Sequence, residues 1–163
     1  MADRYFTDFE TLANAVDKAA VDILTTDVAP VAEDILRKHI QKDIYEAYTP
    51  KENGWISTDG HRTTYERRYD LGDAVTSYMS GDHTLMITSR AKASPAVVKG
   101  YRFRDKYDGA FLELLESGHM GIWRKGFPRP AVSNAQKEID NSRHIAAAIR
   151  RGITREIGPY YAE

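Results

Sequence analysis

A proline-bracketed segment that leads into a long amphipathic helix is the feature that most constrains how this chain can fold. Pro128 and Pro130 fix two backbone φ angles around Arg129, so the segment predicts a rigid lead into the following helix rather than a flexible linker. The predicted C-terminal helix covers residues 130–157 and ends before Gly158. Apolar residues recur along it at helical spacing, and they are Val132, Ala135, Ile139, Ala146, Ile149 and Ile153. We expect this stripe to pack against the rest of the chain.

Composition places the chain among globular proteins of one domain, residues 1–163, with 42% hydrophobic and 29% charged residues. No apolar run approaches the roughly 20 residues that a membrane span needs, so we expect no membrane partner. The absence of cysteine excludes disulfides and thiolate metal sites, and it agrees with synthesis in the cytoplasm. The net charge of −1 means that a polyanion would have to bind a local patch.

The N-terminal part of the chain predicts helices over residues 8–47. Asp8 or Thr7 is available as the N-cap of the first helix. A break or kink is expected near Asp27, because Pro30 fits the first turn of a second helix. The apolar stripe of the first helix consists of Phe9, Leu12, Ala13, Val16, Ala19, Ala20, Ile23 and Leu24.

The middle of the chain favours a β-hairpin over residues 73–90, with strands at Val75–Met79 and Thr84–Ser89. The two-residue Gly81-Asp82 turn between them is of a type that permits a positive φ at Gly81. Strand alternation predicts one face made of Val75, Ser77 and Met79, with a matching apolar face of Leu85 and Ile87 in the second strand. We expect a helix to cover one face of this hairpin. Residues 50–64 predict an exposed loop or a loosely formed hairpin, and residues 91–108 predict an irregular basic segment. The apolar residues at 111–115 fit a short helix or a buried strand, which periodicity does not separate at this length.

No local pattern in the sequence predicts catalysis, a cofactor site or a metal site. The five histidines are scattered among different elements without metal-ligand spacing. The serines lack a nucleophile-elbow context, and no glycine-rich stretch has the pattern of a phosphate-binding loop. One enzymatic alternative stays open, in which His119, His144 and nearby carboxylates assemble a site in space.

Two basic, aromatic runs at residues 61–69 and 99–107 are candidates for binding. Arginine and tyrosine serve single-stranded nucleic acid sites, and they are also enriched at protein interfaces. The neutral overall charge favours a protein interface over nucleic acid, while an ordinary solvated strand edge remains a third explanation. The candidate interface residues are Tyr65, Arg67, Arg68, Tyr69, Tyr101, Arg102 and Arg104.

The order of these features resembles a known family, the small tail-completion proteins of long-tailed bacteriophages, also called head–tail joining, neck or minor tail-component proteins. The resemblance spans roughly residues 35 to 153. The matching segments are Ile44-Tyr45-Glu46-Ala47-Tyr48-Thr49-Pro50, Tyr65-Glu66-Arg67-Arg68, Glu116-Ser117-Gly118 and Pro128-Arg129-Pro130.

The resemblance implies an α+β fold in which a small antiparallel sheet is packed by amphipathic N-terminal and C-terminal helices. It implies a structural virion protein, made in the host bacterial cytoplasm, that works as a ring of copies with other phage neck and tail proteins. Genomic DNA would pass through such a ring without sequence-specific contact. The tyrosines and arginines at 65–69 would anchor interfaces, with intramolecular packing as the alternative. The residues implied to set the angle of the C-terminal helix are Phe127, Pro128, Arg129 and Pro130, preceded by the Glu116 and Gly118 motif.

Overall fold

The structure is a computed structural model that describes residues 8–47, 55–56, 62–63, 70–91, 112, 115–116 and 128–157. Over these residues the chain is mostly helical, with short antiparallel strand pairs between N-terminal and C-terminal helices. This arrangement confirms the α+β class. None of the described helices combines the length and the apolar character needed to cross a bilayer.

The N-terminal helical run extends from Phe9 to Glu46, as predicted. It consists of α1 (Phe9–Ile23), a first π segment (Leu24–Val28), α2 (Ala29–His39) and a second π segment (Ile40–Glu46). Asp8 caps α1, because its carboxylate accepts a hydrogen bond from the Thr11 backbone N–H at 2.7 Å.

The helical run does not break near Asp27. The backbone keeps helical φ and ψ angles from Ile23 to Ala29 and passes through the first π segment, the kind of irregularity that bends a helix. Pro30 lies in the first turn of α2, where its missing N–H is tolerated.

A short antiparallel ladder lies within the region predicted as an exposed loop or a loose hairpin. β1 (Trp55–Ile56) pairs with β2 (Arg62–Thr63), with Trp55 opposite Thr63. The hairpin alternative therefore holds at these residues. The remainder of 50–64 and the basic segment from residue 92 to 108 lie outside the described residues.

The predicted hairpin is formed by β3 (Val75–Met79) and β4 (Leu85–Ser89), and it follows a helical turn, α3 (Asp70–Asp73). Asp73, within the predicted range 73–90, belongs to α3. The first strand covers Val75–Met79, as predicted, and the second begins at Leu85, one residue later than predicted. The predicted apolar face is confirmed by the register, in which Ser77 lies opposite Ile87 and Met79 lies opposite Leu85.

The turn of the hairpin is longer than the predicted two residues. The Ser80 backbone N–H donates to the Thr84 carbonyl at 2.7 Å, which places Gly81, Asp82 and His83 in the loop. Gly81 has a φ of 82°, the left-handed conformation that the sequence predicted at this glycine. The hydrogen bond between Ser80 and Thr84 lies beyond the last paired residues of the two strands. The Gly81-Asp82 dipeptide alone did not indicate it.

α2 covers one face of the hairpin, as expected. The Ser77 hydroxyl donates to Glu33 Oε1 at 2.7 Å, and Arg37 Nη2 donates to the Val75 carbonyl at 3.4 Å. Arg37 is held in place by ion pairs to Glu33 and Asp34, each at 2.8 Å.

The C-terminal region forms two helices, so the prediction of one helix over 130–157 is wrong. They are α4 (Ala131–Asn141) and α5 (Arg143–Ile157). Ser142 between them is extended, with φ −77° and ψ 121°. Its hydroxyl accepts hydrogen bonds from the His144 and Ile145 backbone N–H groups at 3.2 and 3.4 Å. Serine competes well as an N-cap, so it starts a new helix here.

Two apolar clusters hold these elements together. The main core joins α2, the second π segment, α3, the hairpin and α4, and a smaller cluster of Ile23, Val28 and Ala148 joins the N-terminal run to α5. Leu112 and Leu115 contribute to the main core in helical conformation, which favours the helical alternative at those positions. The buried residues of the main core are Ile35, Leu36, Ile40, Ile44, Tyr45, Leu71, Val75, Ala91, Leu112, Leu115, Ala131 and Ala135.

Candidate protein–protein interface

All seven interface residues predicted from the sequence lie outside the described residues. They are Tyr65, Arg67, Arg68, Tyr69, Tyr101, Arg102 and Arg104, and the motif residues Gly118 and Phe127 lie outside as well. Their roles stay predictions.

Glu116 and the Pro-Arg-Pro segment meet at the start of α4. Glu116 accepts hydrogen bonds from the Val132 and Ser133 backbone N–H groups, each at 3.0 Å, and from the Ser133 hydroxyl. Pro130 occupies the N-cap position and has no side-chain oxygen, so Glu116 supplies the acceptors that this helix start needs. The Arg129 backbone N–H donates to the Leu115 carbonyl at 3.0 Å. The two segments therefore fix where α4 begins.

α1 carries an uncovered apolar face near its start. Phe9, Leu12 and Val16 are 83%, 37% and 50% exposed, and their spacing places them on one side of the helix. We call these three residues the α1 stripe. Ile23 continues the same face and is buried, because α5 packs against it at Gly152. The apolar stripe predicted for this helix is therefore exposed in its N-terminal half and buried at Ile23.

α5 carries a second uncovered apolar face. Ala146 is exposed, and Ile149 and Ile153 are 38% and 44% exposed. We call these three residues the α5 stripe. The sequence predicted that they would pack against the chain, but α5 instead buries Ala148 and Gly152.

The physical reason for this difference is that small residues let α5 approach closely. A Cβ atom at Gly152 would lie 2.7 Å from Ile23 Cγ1, so the two backbones are nearer than bulky side chains would permit. Within α4 the predicted stripe is partly confirmed, since Ala135 is buried and Ile139 packs on the main core, whereas Val132 is exposed.

The outer face of the hairpin carries a further exposed apolar pair. Tyr78 and Met86 lie directly opposite each other on β3 and β4, and they are 44% and 42% exposed. This pair lies on the other face from Ser77 and Ile87, which face α2 and the main core. Both α1 and the hairpin therefore display large apolar side chains to solvent.

A buried histidine joins the second π segment, α2 and α4 through polar contacts. His39 Nδ1 lies 2.9 Å from Asp43 Oδ2, and His39 Nε2 lies 2.9 Å from Glu138 Oε2. Asn134 donates to Asp43 Oδ2 at 2.9 Å, and Lys38 donates to Glu138 at 2.8 and 2.9 Å. Carboxylates accept but do not donate, so both ring nitrogens must carry a proton for both contacts to be hydrogen bonds.

These contacts lower the pKa of both carboxyl groups. Burial by itself would raise the pKa of Asp43, but hydrogen bonds from Asn134 and His39 outweigh it and hold the value below normal. The pKa of Glu138 is lowered by hydrogen bonds from Lys38 and then from His39. No specific role was predicted for His39 from the sequence, although His39 and Asp43 have the i, i+4 spacing of facing helical residues.

An open groove between α2, α4 and α5 contains the histidine of the enzymatic alternative. His144 is exposed in it beside Lys38, Glu138 and Arg151. The other histidine of that alternative, His119, lies outside the described residues, so the pairing stays untested. Among the residues that the structure describes, no group of three or more acidic, histidine or cysteine side chains is placed to hold a metal ion.

The described fold and surface define a class of protein: a small α+β domain framed by helices, with apolar helix faces exposed in the single chain. The chain belongs to the YomN family, whose family model matches residues 8–155. This membership is consistent with a phage-associated protein. Comparisons with curated proteins and with solved structures give no significant match.

Proposed function

We propose that this chain is a structural protein of a tailed-phage virion that joins the filled head to the tail or completes the head-proximal end of the tail. In this proposal it acts as a ring of copies in contact with other neck and tail proteins. It is made in the host cytoplasm and ends in the virion, and genomic DNA passes through the ring without sequence-specific contact. The role is structural rather than enzymatic and needs no cofactor.

The observation that carries this proposal is the α1 stripe. A phenylalanine that is 83% exposed, followed by Leu12 and Val16 on the same face, is unfavourable in water. Full burial of such a side chain is worth about 1.5–3 kcal/mol, so contact with another protein surface would stabilise an assembly substantially. Grouped exposed apolar residues are typical of interaction sites. Membership in the YomN family and the resemblance to tail-completion proteins support a virion as the place of assembly.

The proposal is tested by inactivating this gene in a phage and examining the lysate by electron microscopy. We expect filled heads to accumulate beside unattached tails, and the wild-type gene supplied in trans should restore joined particles. Intact, infectious particles without the protein would contradict the proposal.

Complementation with variants links this test to the α1 stripe. Val16→Asp places a charge in the stripe, and we expect it not to restore joined particles. Asn14→Asp is the matched control, because Asn14 is exposed on the same helix and lies on a different side from Val16. Both variants should be checked for normal folding by circular dichroism. If Val16→Asp and Asn14→Asp restore joined particles equally well, the α1 stripe is not part of the proposed interface.

A further inference from the structure

We infer that the α1 stripe of one copy packs against the α5 stripe of the next copy, a head-to-tail contact between two different faces of the chain. The inference rests on the proposed function in one respect, which is that the protein assembles with itself. It adds which surfaces meet and what holds them together.

The two stripes match in spacing. Phe9, Leu12 and Val16 follow each other at steps of three and four residues, and so do Ala146, Ile149 and Ile153. Each set therefore forms a narrow apolar ridge along one side of its helix. Five of the six residues are large and apolar, and Ala146 leaves room for a larger side chain from a partner helix. Two such ridges can bury one another as neighbouring helices do.

The two helices are opposite in charge. In α1 and its N-cap the acidic residues are Asp8, Glu10, Asp17 and Asp22, and the basic residue is Lys18. In α5 the arginines are Arg143, Arg150, Arg151 and Arg155, and the acidic residue is Glu156. An α1–α5 contact therefore brings unlike charges together, whereas α1–α1 or α5–α5 contacts would bring like charges together.

The charges nearest the stripes are available for such a contact. Glu10 follows Phe9 in α1, Arg150 follows Ile149 in α5, and Arg143 lies one turn before Ala146. All three are exposed, and none has an ion-pair partner within the part of the chain that the structure describes. Arg155, in contrast, pairs with Asp27 of its own chain at 2.7 Å. Complementary charges at the rim of an apolar contact fix the partner and the register more than the affinity.

A contact between two different faces leaves one of each face free at the ends of a dimer. Further copies can then add until the rotation closes the set into a ring. The arrangement explains why the apolar stripe of the C-terminal region is exposed in a single chain. It also explains why the N-terminal half of α1 is uncovered.

Disulfide trapping tests this pairing cleanly, because the chain has no cysteine of its own. Val16→Cys and Ile149→Cys are made in separate, differently tagged copies, mixed, and oxidised under mild conditions. We expect a disulfide-linked dimer that contains one copy of each variant. Asn14→Cys mixed with Ile149→Cys is the matched control, and we expect at least tenfold less of the mixed dimer.

Charge reversal gives an independent readout by light scattering on unoxidised protein. Glu10→Arg and Arg150→Glu should each lower the average mass of the assembly, and the double variant Glu10→Arg/Arg150→Glu should restore it. Lys137→Glu, an exposed charge reversal on α4, is the control and should leave the mass unchanged. Rescue in the double variant is not expected if the single variants only damage folding.

Three results would overturn the inference: wild-type protein that stays monomeric at every concentration, disulfide links between identical variants alone, or an assembly mass that neither charge reversal lowers. Rings without the α1–α5 contact would overturn this inference and leave the proposed function standing. If the α1–α5 disulfide forms but phage particles assemble normally without the protein, the proposed function is overturned and this inference stands.

Discussion

Gly152 is the residue that lets α5 lie close to the N-terminal helical run. A Cβ atom there would approach Ile23 Cγ1, Ile23 Cγ2 and Asp27 Oδ2 at 2.7, 2.8 and 2.9 Å. Exchanging glycine for alanine within a helix normally stabilises a protein by about 1 kcal/mol. Here we expect Gly152→Ala to lower the free energy of unfolding by about 1–3 kcal/mol, because overpacking outweighs helix propensity. Urea denaturation measures this change.

Two further variants show whether crowding is the cause. Gly72→Ala meets no atom within 4 Å and should leave stability unchanged or raise it. Gly152→Ala should cost less in an Ile23→Ala background than in the wild type, since Ile23→Ala removes both Cγ atoms that the new Cβ would meet. A Gly152→Ala variant as stable as the wild type would show that α5 lies farther from Ile23 than described.

Glu116 makes a second prediction at the residue scale. It accepts hydrogen bonds from the Val132 and Ser133 backbone N–H groups at the start of α4. We expect Glu116→Ala to cost about 0.5–2 kcal/mol, the usual range for a lost N-cap. Glu116→Gln keeps one acceptor oxygen and should lose less. Thermal unfolding followed by circular dichroism separates the two, and an unchanged midpoint for Glu116→Ala would contradict the capping role.

Among the elements, the contact between α2 and α4 should depend on pH. The pKa values of Asp43 and Glu138 in the folded protein lie below their ordinary values of 3.8 and 4.5. The unfolded chain therefore binds these protons first as the pH falls, and acid favours unfolding. We expect stability from these two groups to be complete above about pH 5 and to be lost as the pH falls through their folded pKa values.

Urea midpoints measured from pH 7 to pH 3 test this dependence. Asp43→Asn and Glu138→Gln should each be less stable than the wild type at pH 7 and should converge with it in acid. Asp140→Asn, at an exposed position on α4, is the control and should keep the acid dependence of the wild type. Parallel curves for all four proteins would mean that the contacts around His39 contribute nothing that depends on charge.

Elements defined by local sequence were predictable. Asp8 as the N-cap of α1, Pro30 in the first turn of α2, and Gly81 at the left-handed position of the hairpin loop depend on neighbouring residues alone. The same holds for the shared face of Ser77 and Ile87, because strand alternation follows directly from the sequence.

Features that depend on distant residues were not predictable. His39 and Glu138 are far apart in the chain and meet only in the fold. Periodicity identified the apolar stripes of α1 and α5, but it does not tell which part of a stripe its own chain covers. The start of α5 at Ser142 had a local signal, a serine that can cap a helix, but the apolar repeat continued across it and favoured one long helix.

For the whole molecule, the structure separates apolar residues that are buried in the fold from apolar residues that stay exposed. Ile23 is buried between the N-terminal run and α5, whereas Val16 on the same face of α1 is half exposed. We expect Ile23→Ala to cost about 2–5 kcal/mol and Val16→Ala to change the stability of the monomer by no more than about 0.5 kcal/mol.

The stabilities of Ile23→Ala and Val16→Ala should be measured on dilute protein that light scattering shows to be monomeric. At higher concentration Val16→Ala should reduce assembly while Asn14→Ala does not. A large loss of monomer stability in Val16→Ala would show that the α1 stripe is covered by its own chain.

We propose that this protein forms a ring at the junction of a phage head and tail. Cryo-electron microscopy of intact particles, with the protein located by a tag that preserves infectivity, tests this proposal. We expect a closed ring of copies at the head–tail junction, with α1 of each copy against α5 of its neighbour. Particles that lack the protein, or that carry it away from this junction, would refute the proposal.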